Sequence, residues 1–224
     1  VVGGEFLART LVAQQVRAQV ITALQLPADQ QLDVTVGGIV LPQLIVGRLD
    51  ELQLSSQKVA LGPIVGAVSA EATGVPIRGG ALDSASGRVT IDAAQLETIV
   101  TSTSLPVDAV TLVGADVKAS GSVTLLGPSL PLALTLTPGA ENGALTLTPT
   151  SATVGTVTVA SKDTSAVARL LKPLFATQRV CIADRLPAGV YLSALRVDRN
   201  TLVASFAVDG AITADEQLQQ PGTC

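Results

Sequence analysis

"LPLALTLTPGAENGALTLTP", residues 130–149, is the stretch on which the fold turns. Leu130, Leu132, Leu134 and Leu136 alternate with Pro131, Ala133, Thr135 and Thr137; beyond "PGAENG", Leu145 and Leu147 alternate with Thr146 and Thr148. A period of two sends successive side chains to opposite faces of a strand, so the stretch reads as strand, loop, strand with one aliphatic face. Within the loop, Asn142-Gly143 has the signature of a turn that needs positive φ. Such a face packs on the protein's own interior or lines a space for another oily molecule, and periodicity treats the two alike.

The surrounding text is also β. Over residues 107–160, Val117, Ala119, Val123 and Leu125 fall on one face, with Asp116, Lys118, Ser120 and Thr124 opposite. Gly127-Pro128-Ser129 predicts a turn, and "TVGTVTVAS" one further strand. Downstream, "TSAVARLLKPLFA" carries Val167, Leu170, Leu171, Leu174 and Phe175 at helical spacing, and Pro173 kinks this helix or limits it to a short first part. "LPAGVYLSALRVDRNTLVASFAVDGAIT" predicts a hairpin turning at "DRN".

Upstream, residues 5–24 predict a helix with Phe6, Thr10, Ala13, Val16, Val20 and Leu24 near one face, stopped by Pro27. "LDVTV" predicts a strand. "GGIVLPQLIVG" is too broken by Gly and Pro for a regular strand and too oily for an ordinary surface loop. In "RLDELQLSSQKVAL" the parity of Leu52 and Leu54 is opposite to that of Val59 and Leu61, which a bulge between Ser55 and Lys58 reconciles. "VSAEATGVPI" predicts a strand and "RGGALDSASG" a loop. "TIDAAQLETIVTST" predicts a helix, with Asp92 as N-cap and Leu96, Ile99 and Val100 as its buried stripe. Together these elements predict one α+β domain over residues 1–224: a long curved antiparallel sheet wrapped around amphipathic helices.

Composition narrows the function. The 224 residues are enough to bury about 70% of the unfolded surface. They are 47% hydrophobic but only 2% aromatic, so any apolar interior is made of Leu, Val, Ile and Ala. A net charge of −4, with Lys and Arg scattered, leaves little with which to neutralise phosphates, so no nucleic-acid partner is expected. No apolar run approaches the roughly 20 residues of a membrane span. The chain opens at Val1 and contains no Met, which reads as a mature chain whose anchor or signal has been cut away, residues 1–4 being its residual linker and 211–224 a C-terminal tail. The two cysteines, Cys181 and Cys224, fit one bridge worth about 4 kcal/mol by loop entropy, and hence an oxidising compartment. The alternative is a buried thiol at Cys181 and a frayed end at Cys224.

Reactive chemistry is sparse. The absence of His removes the commonest general base, the Ser-His-Asp arrangement and most zinc sites. Asp50-Glu51 and Asp215-Glu216 read as solvated pairs, and the Gly-Gly pairs at 37–38 and 79–80 as turns rather than a phosphate cradle. Neither a catalytic group, a cofactor nor a metal is expected. Aliphatic surface without reactive groups suits acyl chains, at about 0.8 kcal/mol per buried methylene.

One further pattern bears on this. The helix before a strand, "VGGIVLPQLIVGRLDELQLSS", the long β section and "LPAGVYLSALRVDRNTLVASFAVDG" together resemble the LmeA-type phospholipid-binding proteins of actinobacterial envelopes. There an oily segment ending in Gly precedes a strand, here residues 39–47, and an LP-x-G-V segment leads into a terminal hairpin, here residues 186–190. The resemblance covers most of the chain. It implies the tubular lipid-binding fold of bactericidal/permeability-increasing protein, with an apolar groove and no catalytic residues. It also implies an extracytoplasmic, envelope-associated place, a membrane surface as partner, and a role in lipid or lipoglycan metabolism beside an envelope enzyme not identified.

The expected groove is lined by Leu130, Leu132, Leu134, Leu136, Leu145 and Leu147 from the sheet and by Val167, Leu170, Leu171 and Leu174 from a helix. Leu41, Leu44, Ile45 and Val46 are expected at its mouth, dipping into a membrane. The competing expectations are a structural or adhesive envelope module with a filled interior, and an enzyme built on dispersed carboxylates.

Overall fold

The computed structural model describes residues 2–23, 27, 29–61, 64–101, 107–124 and 129–224. Its architecture is α+β and antiparallel, as the strand spacing implies. The strands form two six-stranded sheets among the described residues, however, and not one long sheet. The helices are α1 Val2–Ala23, α2 Val40–Val46, α3 Ala93–Thr101 and α4 Ala166–Leu170. The strands are β1 Asp33–Val36, β2 Arg48–Leu61, β3 Ile64–Pro76, β4 Ser84–Asp92, β5 Ala109–Val113, β6 Asp116–Thr124, β7 Ser129–Glu141, β8 Ala144–Val154, β9 Val157–Ala160, β10 Gln178–Cys181, β11 Val190–Asp198 and β12 Thr201–Val208.

The first sheet runs β1-β2-β3-β4-β12-β11; the second runs β10-β8-β7-β6-β5, with β9 also on β8. The second is a meander of sequence neighbours. The first needs the terminal hairpin to return to β4, and no local pattern announces a partner more than a hundred residues away. The chain divides into two compact units. One comprises residues 1–89, 183–193 and 205–223; the other comprises 90–182, 194–204 and Cys224.

In the first unit, α1 lies on β1 and β2 through Ala8, with Val12 and Val16 beside it, against Val36, Leu49 and Leu52. Phe6 and Thr10 are exposed, whereas Val16 packs on the core and Ala13 and Val20 are half-buried, so the predicted stripe fails at its N-terminal end, where Ala8 and Val12 face inward instead. Arg9 fixes this rotation by donating to the carbonyls of Val36 and Gly38 at 2.9 and 2.6 Å. Leu24 lies outside the described residues. The bulge foreseen between Ser55 and Lys58 falls between Ser56 and Val59, and buried Ser56 donates to the Gln31 carbonyl. "RGGALDSASG" is loop only as far as Asp83, since β4 begins at Ser84.

In the second unit, Asp92 caps α3 by accepting from the Gln95 amide at 2.8 Å, and Leu96 is buried. The side chains of Ile99 and Val100, Leu125 and the start of the Gly127-Pro128-Ser129 turn lie outside the described residues. "PGAENG" is not a six-residue loop. β7 continues to Glu141, and only Asn142 (φ 49°) and Gly143 (φ 73°) turn the chain. "TVGTVTVAS" is not one strand: Gly155 (φ 61°) turns it, ending β8 and starting β9. Pro173 ends α4 early, and Lys172–Phe175 continues as a 3-10 turn. At "DRN", Arg199 and Asn200 both take positive φ between β11 and β12.

The tail is ordered by 3-10 turns at Gly210–Thr213 and Glu216–Gln219 and by the bond from the Gly222 amide to the Leu186 carbonyl. Cys181 and Cys224 are joined, with a Cα–Cα distance of 5.9 Å.

Candidate functional site

The register of the second sheet places the leucines of residues 130–149 on one face. Val117, Ala119, Gly121 and Val123 of β6 stand opposite Leu136, Leu134, Leu132 and Leu130 of β7. On β8, Leu145 and Leu147 stand opposite Ala140 and Pro138. Thr150 is then an extra residue, so Ala152 and Val154 rejoin the same face opposite Leu134 and Leu132. The bulge carries an apolar face past a break in the sequence alternation. Leu132, Leu134 and Leu136 are 2%, 9% and 5% exposed, whereas Leu130, at one end, and Leu145 and Leu147, at the other, are half-buried. The face is thus closed in its middle and half-open at both ends.

α4 and the 3-10 turn join β9 to β10, the two short strands that pair successive halves of β8. Leu171 and Ala168 are buried, Leu174 is half-buried, and Val167 and Leu170 point to solvent, Leu170 at 81% exposure. Four residues expected to line one stripe therefore divide: α4 turns its Ala168 and Leu171 side inward, which leaves Val167 and Leu170 outside. Beneath the segment lies a hollow of about 530 Å3, whose wall combines Ala160, Ala168 and Phe175 with Asp163, Arg169 and Lys172. Lining by Arg169 and Lys172 had no signal in the sequence beyond their three-residue spacing.

The four residues expected at the mouth belong to the first unit, on α2. This oily segment is a helix, ended by Gly47 in the left-handed region at φ 83°. Ile45 and Val46 are 79% and 76% exposed, Leu41 is just exposed, and Leu44 packs onto the core beneath. Ile39, the residue at the N-cap position, makes no side-chain cap. Glu5 of α1 does that work instead, accepting from the amides of Val40 at 2.7 Å and Leu41 at 3.1 Å. The Val40 amide above all holds the Glu5 carboxyl below the usual carboxylate range; desolvation opposes this, and the Leu41 amide and Arg9 reinforce it.

Sequence reasoning also missed Gln43, buried on α2. Its Nε2 donates to the Gly37 carbonyl at 2.9 Å, and its Oε1 accepts from the Asp50 amide at 3.1 Å, locking α2 to the start of β2. A Gln inside an oily segment was the available clue, since buried polar groups are there to satisfy others.

Across the other face of the first sheet, within the same unit, runs a polar trough of about 410 Å3 that includes Gln53, Ser69, Glu71, Ser86 and Arg88. Among the described residues no group of three or more His, Cys, Asp or Glu is placed to hold a metal ion. No helix among them is long and apolar enough to cross a membrane.

The described residues thus form an α+β protein with two antiparallel sheets, a ring-poor aliphatic sheet face and an oily helix at its surface. Residues 3–207 match the profile of the LmeA-like phospholipid-binding family, and the chain belongs to that family. No curated protein and no solved structure matches it.

Proposed function

We propose that the protein binds phospholipid without chemical turnover, on the outer side of the membrane, and serves envelope lipid or lipoglycan metabolism by holding or passing on lipid. Membership of a phospholipid-binding family carries the reading. The aliphatic face of the second sheet supports a site on β7 and β8. Leu and Val offer a flexible chain a smooth lining, and a 16-carbon chain gains on the order of 10 kcal/mol before ordering costs. Chains enter at the half-exposed ends, marked by Leu130 and by Leu145 and Leu147. Leu171 and Leu174, on the inward side of their segment, add to this lining, whereas Val167 and Leu170 offer apolar surface on its solvent side. The disulfide supports an oxidising compartment. Leu41, Ile45 and Val46 form the membrane contact, seated by Leu44 on the core beneath, and Ile45 and Val46 enter the interfacial layer.

Organic extraction of gently purified protein, followed by mass spectrometry, tests this. Stoichiometric diacyl lipid is expected. Lipid-free protein that also fails to take up phospholipid from vesicles refutes the proposal and favours an envelope module with a filled interior. Ile45→Ser/Val46→Ser is expected to weaken sedimentation with vesicles while leaving lipid uptake from detergent intact.

A further inference from the structure

We infer that the hollow beneath α4 recognises a phosphate group carried on an apolar tail, with Arg169 and Lys172 as its cations. The inference rests on the proposed lipid binding and assigns the headgroup a place in the second unit.

Charge gives the first argument. The chain carries 18 acidic and 14 basic residues, yet residues 161–180 hold Lys162, Arg169, Lys172 and Arg179 against Asp163 alone, and with Arg179 answered by Glu141 the segment keeps a charge of +2. A cluster of one sign inside a chain of the other sign is a local field, and an anion is what such a field attracts. Partnering gives the second. Arg179 pairs with Glu141 at 3.0 Å, Arg9 with Glu5 and Arg48 with Asp83. Arg169 and Lys172 line the hollow exposed to solvent and, like Lys118 and Lys162, form no ion pair among the described residues, so both are available to an anion. Asp163, in the same wall, accepts from the Ser165 amide at 2.9 Å and forms no ion pair with either cation.

Shape and polarity give the third. About 530 Å3 exceeds what a lone anion needs, and the remaining wall includes Phe175, Ala160, Ala168 and Ala176. Leu170 and Val167 extend apolar surface outside it. A guanidinium fork grips two phosphate oxygens at once while an ammonium adds a point charge. The apolar wall then takes the glycerol end of the tail. With Asp163 on the rim the three charges sum to +1, which a phosphodiester or a singly ionised monoester balances.

The test uses the full chain and two fluorescent lipids with identical acyl chains, a phosphatidic acid and a diacylglycerol, titrated below their aggregation range. The intact protein is expected to prefer the phosphatidic acid by at least about ten-fold, the scale of hydrogen bonds to a charged group. Arg169→Gln/Lys172→Gln is expected to bind both lipids equally, with the diacylglycerol affinity and the thermal midpoint unchanged. Lys118→Gln, on the solvent face of β6, is expected to keep the preference. Inorganic phosphate is expected to compete only at millimolar concentration.

Preference retained by the double variant overturns the assignment while lipid binding stands. Equally strong binding of both lipids by the intact protein does the same. Micromolar binding of inorganic phosphate alone assigns the hollow to a free anion and overturns the lipid source. Failure of the intact protein to bind either lipid removes the proposed function itself.

Discussion

Opening the bridge between Cys181 and Cys224 is the perturbation whose size follows most directly from the structure. The cysteines are 43 positions apart, and closing a loop of that length removes about 13 cal/mol/K of chain entropy, or about 4 kcal/mol at 25 °C. The tail does not depend on the bridge for its native contacts. The amides of Ala188, Gly189 and Gly222 bond the carbonyls of Gln220, Leu218 and Leu186 at 2.8, 2.8 and 2.9 Å. The effect therefore acts chiefly on the unfolded chain. For a protein of this size it corresponds to a midpoint lower by about 8–16 °C.

With no Trp and one Tyr, far-ultraviolet circular dichroism is the suitable probe, applied to oxidised protein, reduced protein and Cys181→Ser/Cys224→Ser. Guanidinium melts are expected to show a lower midpoint and a steeper dependence in the last two, because an uncrosslinked unfolded chain exposes more surface. Coincident curves refute the loop-entropy reasoning. A lower midpoint with unchanged slope moves the effect into the native state, against the hydrogen-bonded tail.

Three further outcomes are expected. Gln43→Leu strands the Gly37 carbonyl and the Asp50 amide and is expected to destabilise by about 2–3 kcal/mol in chemical denaturation; a loss under about 0.5 kcal/mol contradicts the lock between α2 and β2. Glu5 has a lowered pKa when folded, so the stability it adds is present above its unfolded pKa and disappears as pH falls through the folded value. The amide shifts of Val40 and Leu41 are expected to titrate together below the usual carboxylate range, and not at all in Glu5→Gln; a midpoint in the ordinary range rejects the cap. Leu132→Ala, 2% exposed, is expected to cost about 3–4 kcal/mol in lipid-free protein, and a cost below about 1 kcal/mol means that lipid rather than protein fills that contact.

Much of the secondary structure was legible because its causes are local. Asn142-Gly143 and Arg199-Asn200 turn where left-handed backbone is required, Asp92 caps the helix that follows it, and a parity reversal marks the bulge after Ser56. The oily segment at 39–47 was harder. Its helix is capped by a carboxylate 35 residues upstream in sequence from Val40, so nothing inside the segment declares it. The second bulge, at Thr150, was missed because threonine alternation continues across it.

The sequence by itself determined that the interior is aliphatic, that His chemistry is absent, and which side of each strand in residues 130–149 is oily. Those properties depend on residue type and on a period of two, which neighbours in the chain cannot alter. Tertiary structure decided that β12 returns to β4, that Leu132, Leu134 and Leu136 are closed over while Leu130, Leu145 and Leu147 are half-open, and that Arg169 and Lys172 meet Phe175 at one hollow. Burial and the convergence of charges depend on what arrives from elsewhere in the chain, and a linear pattern carries no record of that arrival.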